Sequence, residues 1–137
     1  MALLVRGVAP LLFVYDMPTS VRFYRDMLGC EVVTTSPALG KDHFHWALLR
    51  LGGAELMLNT AFESSEDRPS KLDLAPTADY RDTWLYFSCP DVDGAFQELE
   101  SKGVEAEEPV VTYYGMKQMH LYDPDGYRLC FQWSGKG

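Results

Sequence analysis

Apolar and polar positions alternate along GVAPLLFVYDMP near the start of the chain and along TWLYFSCPDVDG in its second half. That period of two is the mark of a half-buried strand. Each stretch ends in an aspartate, Asp16 or Asp91, after which the period lengthens. Val21, Tyr24, Met27 and Leu28 recur at helical spacing in the first copy; Val92, Ala95, Phe96 and Leu99 do so in the second. A glycine stops each helix, Gly29 in MLGCEV and Gly103 in SKGVEA, because glycine enters the left-handed C′ conformation most easily. The aspartates are 75 positions apart and the glycines 74, so one residue is gained or lost inside the helix.

Three strand-like runs follow each helix. They are CEVVTTS, FHWALLRL and AELMLN in the first half and VEAEEPVVTYY, MKQMHLYD and YRLCFQW in the second. Turn residues divide them, with Gly52-Gly53 and Asp123-Pro124-Asp125-Gly126 the clearest. The pattern predicts an α+β fold, a single domain over 1–137 built from two tandem β-α-β-β-β modules at about 7–60 and 81–134. The polar stretch at about 61–80, rich in Pro, Ser and Asp, reads as a linker. Helices outside and sheet faces inside would make a curved, cup-like eight-stranded mixed sheet with a cavity suited to a small ligand. Strand alternation sorts the residues by face. Leu56, Leu58, Leu85, Phe87, Leu129, Phe131 and Trp133 belong under the helices. Ala9, Leu11, Phe13, Glu55, Met57, Asn59, Trp84, Tyr86, Ser88, Cys130 and Gln132 face the cup.

Composition narrows the function. The 137 residues are 47% hydrophobic and 23% charged, as in a folded domain, and no apolar run reaches the ~18–20 residues of a membrane span. Twelve basic against 20 acidic residues give a net charge of −8, which excludes a nucleic-acid partner because phosphates demand a basic face. It suits a neutral or cationic small ligand. The three cysteines, Cys30, Cys89 and Cys130, form no CxxC pair, so neither a disulfide scaffold nor a structural zinc site is expected and a cytoplasmic location fits.

With these features in hand, the sequence resembles the vicinal oxygen chelate superfamily of glyoxalases, bleomycin-resistance proteins and extradiol dioxygenases. VRFYRDMLGCEV, GGAELML and LYDPDGYRLCFQW carry the resemblance, which spans about Gly7 to Trp133. In metal-dependent members four ligands sit on inward positions of the first and fourth strands of each module. Carried over, those positions are Ala9, Glu55, Trp84 and Cys130, and only Glu55 is of the expected type. Alanine has no ligating atom and an indole only donates. The resemblance therefore implies a metal-free, cofactor-free homodimer of the bleomycin-resistance type. Such a protein holds a hydrophobic, aromatic or cationic ligand against Phe13, Glu55, Met57, Trp84, Tyr86, His120, Cys130 and Gln132.

The alternative is an enzyme, a lyase, isomerase or dioxygenase-like catalyst using Glu55 as base, with an atypical metal site drawn from His43, His45 or His120. Glu55 also reads as an ordinary strand-end glutamate paired to an arginine, and Trp84 and Tyr86 as core filler. Asp123–Gly126 reads as a tight turn, since Asp supports side-chain-to-backbone bonds and Gly supplies positive φ.

Overall fold

The computed structural model describes residues 2–60 and 82–135, so the expected linker lies outside the described residues. The elements run β1 (Leu11–Val14), α1 (Met17–Val21) continuing into a π-helical segment (Arg22–Met27), β2 (Glu31–Thr35), β3 (Trp46–Leu51) and β4 (Ala54–Thr60). The order then repeats as β5 (Trp84–Ser88), α2 (Val92–Ser101), β6 (Val110–Val111), β7 (Met116–Tyr122) and β8 (Arg128–Ser134). Two four-stranded mixed sheets result, ordered β1-β4-β3-β2 and β5-β8-β7-β6. In each, the first strand lies parallel to the last and the other pairs are antiparallel. Only a long connection can deliver a parallel neighbour. The fold is α+β, and the chain divides into two compact units, Met1–Pro69 and Ser70–Gly137.

The helix boundaries are those that the aspartates and glycines dictate. Asp16 caps α1 by accepting from the Thr19 amide, and Asp91 caps α2 by accepting from the Gly94 amide. Gly29 and Gly103 stand at φ 87° and 77°. After α2 the Val104 amide reaches Leu99 O and the Gly103 amide reaches Glu100 O, closing a Schellman turn. The one-residue difference between the copies has a physical form. The first helix accommodates its extra residue as π-helix, with the Leu28 amide reaching back five residues to Phe23 O.

One face of each sheet is packed and the other open. In the first unit Leu12, Val14, Leu49, Leu56 and Leu58 are buried together with Met17, Val21 and Tyr24 of the helix. In the second, Phe87, Met119, Leu121, Leu129 and Phe131 are buried with Val92 and Leu99. Phe87 and Phe131 stack at 4.7 Å. The Asp123 carboxylate, itself buried, accepts from the Asp125 and Tyr127 amides at 2.9 Å each, which makes Asp123–Gly126 a structural turn.

Three strand expectations are corrected. VEAEEPVVTYY contributes only Val110–Val111, because Pro109 lacks an amide donor and its glutamates gain nothing from burial. FHWALLRL begins pairing at Trp46; Asp42 at φ 54° turns the chain so that Gly40 bridges His43, leaving His43 and His45 ahead of the strand. Trp133 follows the helix-facing register yet remains 42% exposed at the end of β8.

Candidate functional site

On the open face of the first sheet, Leu11 and Phe13 of β1 lie level with Met57 and Asn59 of β4, which lie level with Leu48 and Trp46 of β3. The last row is charged. Arg50 opposes Glu55 and donates to its Oε2 from Nη2 at 3.0 Å and from Nε at 3.3 Å, with Glu31 3.9 Å away on the other side. Glu55, the expected anchor, is thus half-exposed and ion-paired to an arginine of its own sheet. It does not stand alone in an apolar hollow.

The open face of the second sheet is of different character. Trp84 and Tyr86 stack at 6.4 Å with 26° between their planes and are 44% and 51% exposed. His120 meets the edge of Trp84 at 6.1 Å. The Arg128 guanidinium lies 4.2 Å from the Trp84 ring centre and 5.8 Å from that of Tyr122. Beside this aromatic group runs a continuous polar chain. Arg128 Nε donates to His120 Nδ1 at 3.2 Å. Arginine nitrogens only donate, so His120 is neutral with its proton on Nε2, which points to Gln118 Oε1 at 3.3 Å. The Gln118 amide then donates to Gln132 Oε1 at 2.9 Å and to the Tyr114 hydroxyl at 3.1 Å.

The electrostatics agree with that assignment. Burial first, and the Arg128 charge second, hold His120 below its ordinary value, with Glu107 acting in the opposite sense. Cys130 lies beneath, wholly buried, its sulfur 3.8 Å from His120 Nε2. Burial pushes its thiol up to about 11, so it is a protonated thiol at neutral pH and a poor nucleophile.

The structure thus places Trp84, Tyr86, His120, Cys130 and Gln132 on one sheet face of the second unit, and Phe13, Glu55 and Met57 on one sheet face of the first. Sequence reasoning missed Arg128, Gln118 and Tyr122; Tyr113-Tyr114-Gly115 reads from the sequence as a strand end and turn from which one tyrosine could reach the pocket, and Tyr114 is the one bonded to Gln118. The missed arginine traces to register. Leu11 sits beside Met57, 46 positions on, whereas Tyr86 sits beside Cys130, only 44 positions on. A uniform offset of 75 therefore misplaces β8 by two residues, and the neighbour of Trp84 is Arg128, not Cys130.

This donor set does not fit the divalent metal of the family's metal-dependent members. Ala9 and Trp84 supply no lone pair, Arg128 supplies positive charge, the Glu55 oxygen is engaged by Arg50, and Cys130 keeps its proton. Among the described residues no three His, Cys, Asp or Glu side chains are grouped to hold an ion.

A duplicated β-α-β-β-β unit with a helix on one face of each sheet and an open face on the other defines the fold class. The sequence matches the family model of the Glyoxalase/Bleomycin resistance protein/Dioxygenase superfamily over residues 7–131, and the chain belongs to that superfamily. No curated protein matches it. Among solved structures it is similar to SMU.1112c, at 29% identity and TM-score 0.70 over 94% of this chain and 99% of that one. A bleomycin-binding protein in complex with bleomycin aligns at 19% identity and TM-score 0.68, covering 93% and 98%. TnmS3, an antibiotic-binding protein from Streptomyces sp. CB03234, aligns at 22% identity and TM-score 0.64, covering 96% and 98%. At these last two identities the likeness is one of fold.

Proposed function

We propose that the protein is a metal-free binder of a planar, largely apolar small molecule, which seats on the open face of the second sheet. The observation that carries this reading is the exposed, stacked pair Trp84 and Tyr86, underlain by a fully connected polar chain. Large aromatics left half in water on a sheet face cost solvation that a stacked ligand recovers. The side chains beneath are already oriented, so little ordering entropy is lost on binding. The structural likeness to antibiotic-binding proteins supports the same class of ligand without identifying it. The other expectation, catalysis with Glu55 as base, draws no support from a carboxylate held by Arg50 at 3.0 Å.

The test is a thermal-shift screen of planar aromatic antibiotics and dyes. A ligand at about a hundredfold excess over its Kd raises the melting temperature by roughly 5 °C or more, and Trp84→Ala removes the shift without lowering the unliganded melting point by more than a few degrees. Elemental analysis of untreated protein accompanies it. Close to one equivalent of Ni, Zn, Fe or Mn per chain, or an unchanged shift in Trp84→Ala, defeats the proposal.

A further inference from the structure

Arg128 stands apart from the other cations that the strands carry. Among the described residues three strand positions are cationic, Arg50, Lys117 and Arg128. Arg50 has Glu55 at 3.0 Å and Lys117 has Asp93 at 2.6 Å. No described carboxylate pairs with Arg128. Its Nε is held instead by His120 Nδ1, a neutral acceptor that fixes the guanidinium without cancelling its charge. Its Cζ lies over the Trp84 ring, 4.2 Å from the ring centre, a cation–π contact that suits the weakly hydrated guanidinium. A guanidinium bonded through Nε to His120 and lying over that ring keeps its terminal N–H groups for an acceptor. That geometry matches a carboxylate, which two parallel N–H bonds recognise. The local charge thus runs opposite to the −8 of the whole chain.

Building on the binding role given above, we infer that the open face of the second sheet selects a planar aromatic carboxylate, its ring against Trp84 and Tyr86 and its anionic end on Arg128. His120, in its Nε2-protonated form, acts as a positioning residue for the arginine and passes that constraint to Gln118 and Gln132. A cationic ligand of the same shape meets a guanidinium that no described carboxylate pairs, and is rejected. A neutral amide keeps the stacking and loses the charge-assisted bonds.

Three isosteric probes test this on the full chain: naphthoate, naphthamide and naphthylmethylammonium, titrated by tryptophan fluorescence and by calorimetry. Naphthoate should bind about tenfold or more tighter than naphthamide, with the ammonium weakest. Arg128→Gln should collapse the acid-to-amide ratio to about twofold or less, and Arg128→Lys should restore only part of it. Should Arg128→Gln not fold, the wild-type ratio and the lysine variant decide alone. Equal binding of acid and amide, tighter binding of the ammonium, or a ratio that survives in Arg128→Gln overturns the inference and leaves the binding role standing. If none of the three binds at about 1 mM while the screen finds another ligand, the inference alone falls; if the screen also finds none, both fall.

Discussion

At the scale of single residues, His120 is where local chemistry is most open to measurement. Its ring lies between Arg128 of β8, the Trp84 edge of β5, Gln118 on its own strand and the buried Cys130 thiol, with Glu107 acting from the segment before β6. Burial and the arginine disfavour the imidazolium, so the folded value lies below the 6.5 of the unfolded chain. The sign follows from linkage. Between the lowered folded value and 6.5 the unfolded state binds more protons than the folded one, so stability rises with pH there. The contribution is complete above about pH 6.5 and is lost as the pH falls through the lowered folded value. Melting curves between pH 7.5 and 4.5 should therefore show a decline that His120→Gln softens below pH 6.5 and leaves untouched above it. Parallel curves for the two proteins would show that His120 protonation is not resisted by the fold.

Elements show how much the sequence discloses. The strand-helix-strand order, the change of period at Asp16 and Asp91 and the Gly29 and Gly103 stops were all legible, because each rests on a local signal in the chain. The faces of β1, β4 and β5 were legible for the same reason: alternation forces Leu12, Leu56, Leu58 and Phe87 under the helices. Arg128 was not. Its position depends on a two-residue difference in how β5 meets β8 and β1 meets β4, and no periodicity encodes a parallel register. The pairing of Glu55 with an arginine was one of two readings open from the sequence, and the cross-strand contact with Arg50 is the one found.

The helix comparison, by contrast, yields a sharp expectation. The extra residue of the first helix is stored in the π-helical segment Arg22–Met27, which contains the buried Tyr24, and deleting Asp26, two residues past it, lets the segment return to ordinary helix with Tyr24 in place. Deleting Gln97 from α2, which has no such reserve, turns Leu99 about 100° away from the core and forfeits roughly 1.5–3 kcal/mol of burial. Circular dichroism and melting temperatures should show the first variant folded with a small loss and the second markedly weaker. Equal losses would mean that the π segment is not a spare residue.

For the whole molecule, the conflict between a net charge of −8 and a cationic recognition residue makes a statement about approach. A carboxylate probe is repelled by the chain at long range and attracted by Arg128 only at contact. Screening separates the two, because the Debye length shrinks from about 30 Å at 0.01 M salt to about 8 Å at 0.15 M, while a hydrogen-bonded contact of about 3 Å lies well inside either length. Adding salt should thus remove the repulsion first. Stopped-flow fluorescence should show the association rate of naphthoate rising by about twofold or more over that range, with little change in dissociation. Naphthylmethylammonium should show the reverse trend. The usual result for an arginine-centred anion site is weakening by salt, so the direction is diagnostic. A naphthoate rate that falls over the same range would mean that the field of Arg128 outreaches that of the acidic chain, and that the acidic surface takes no part in selecting what arrives.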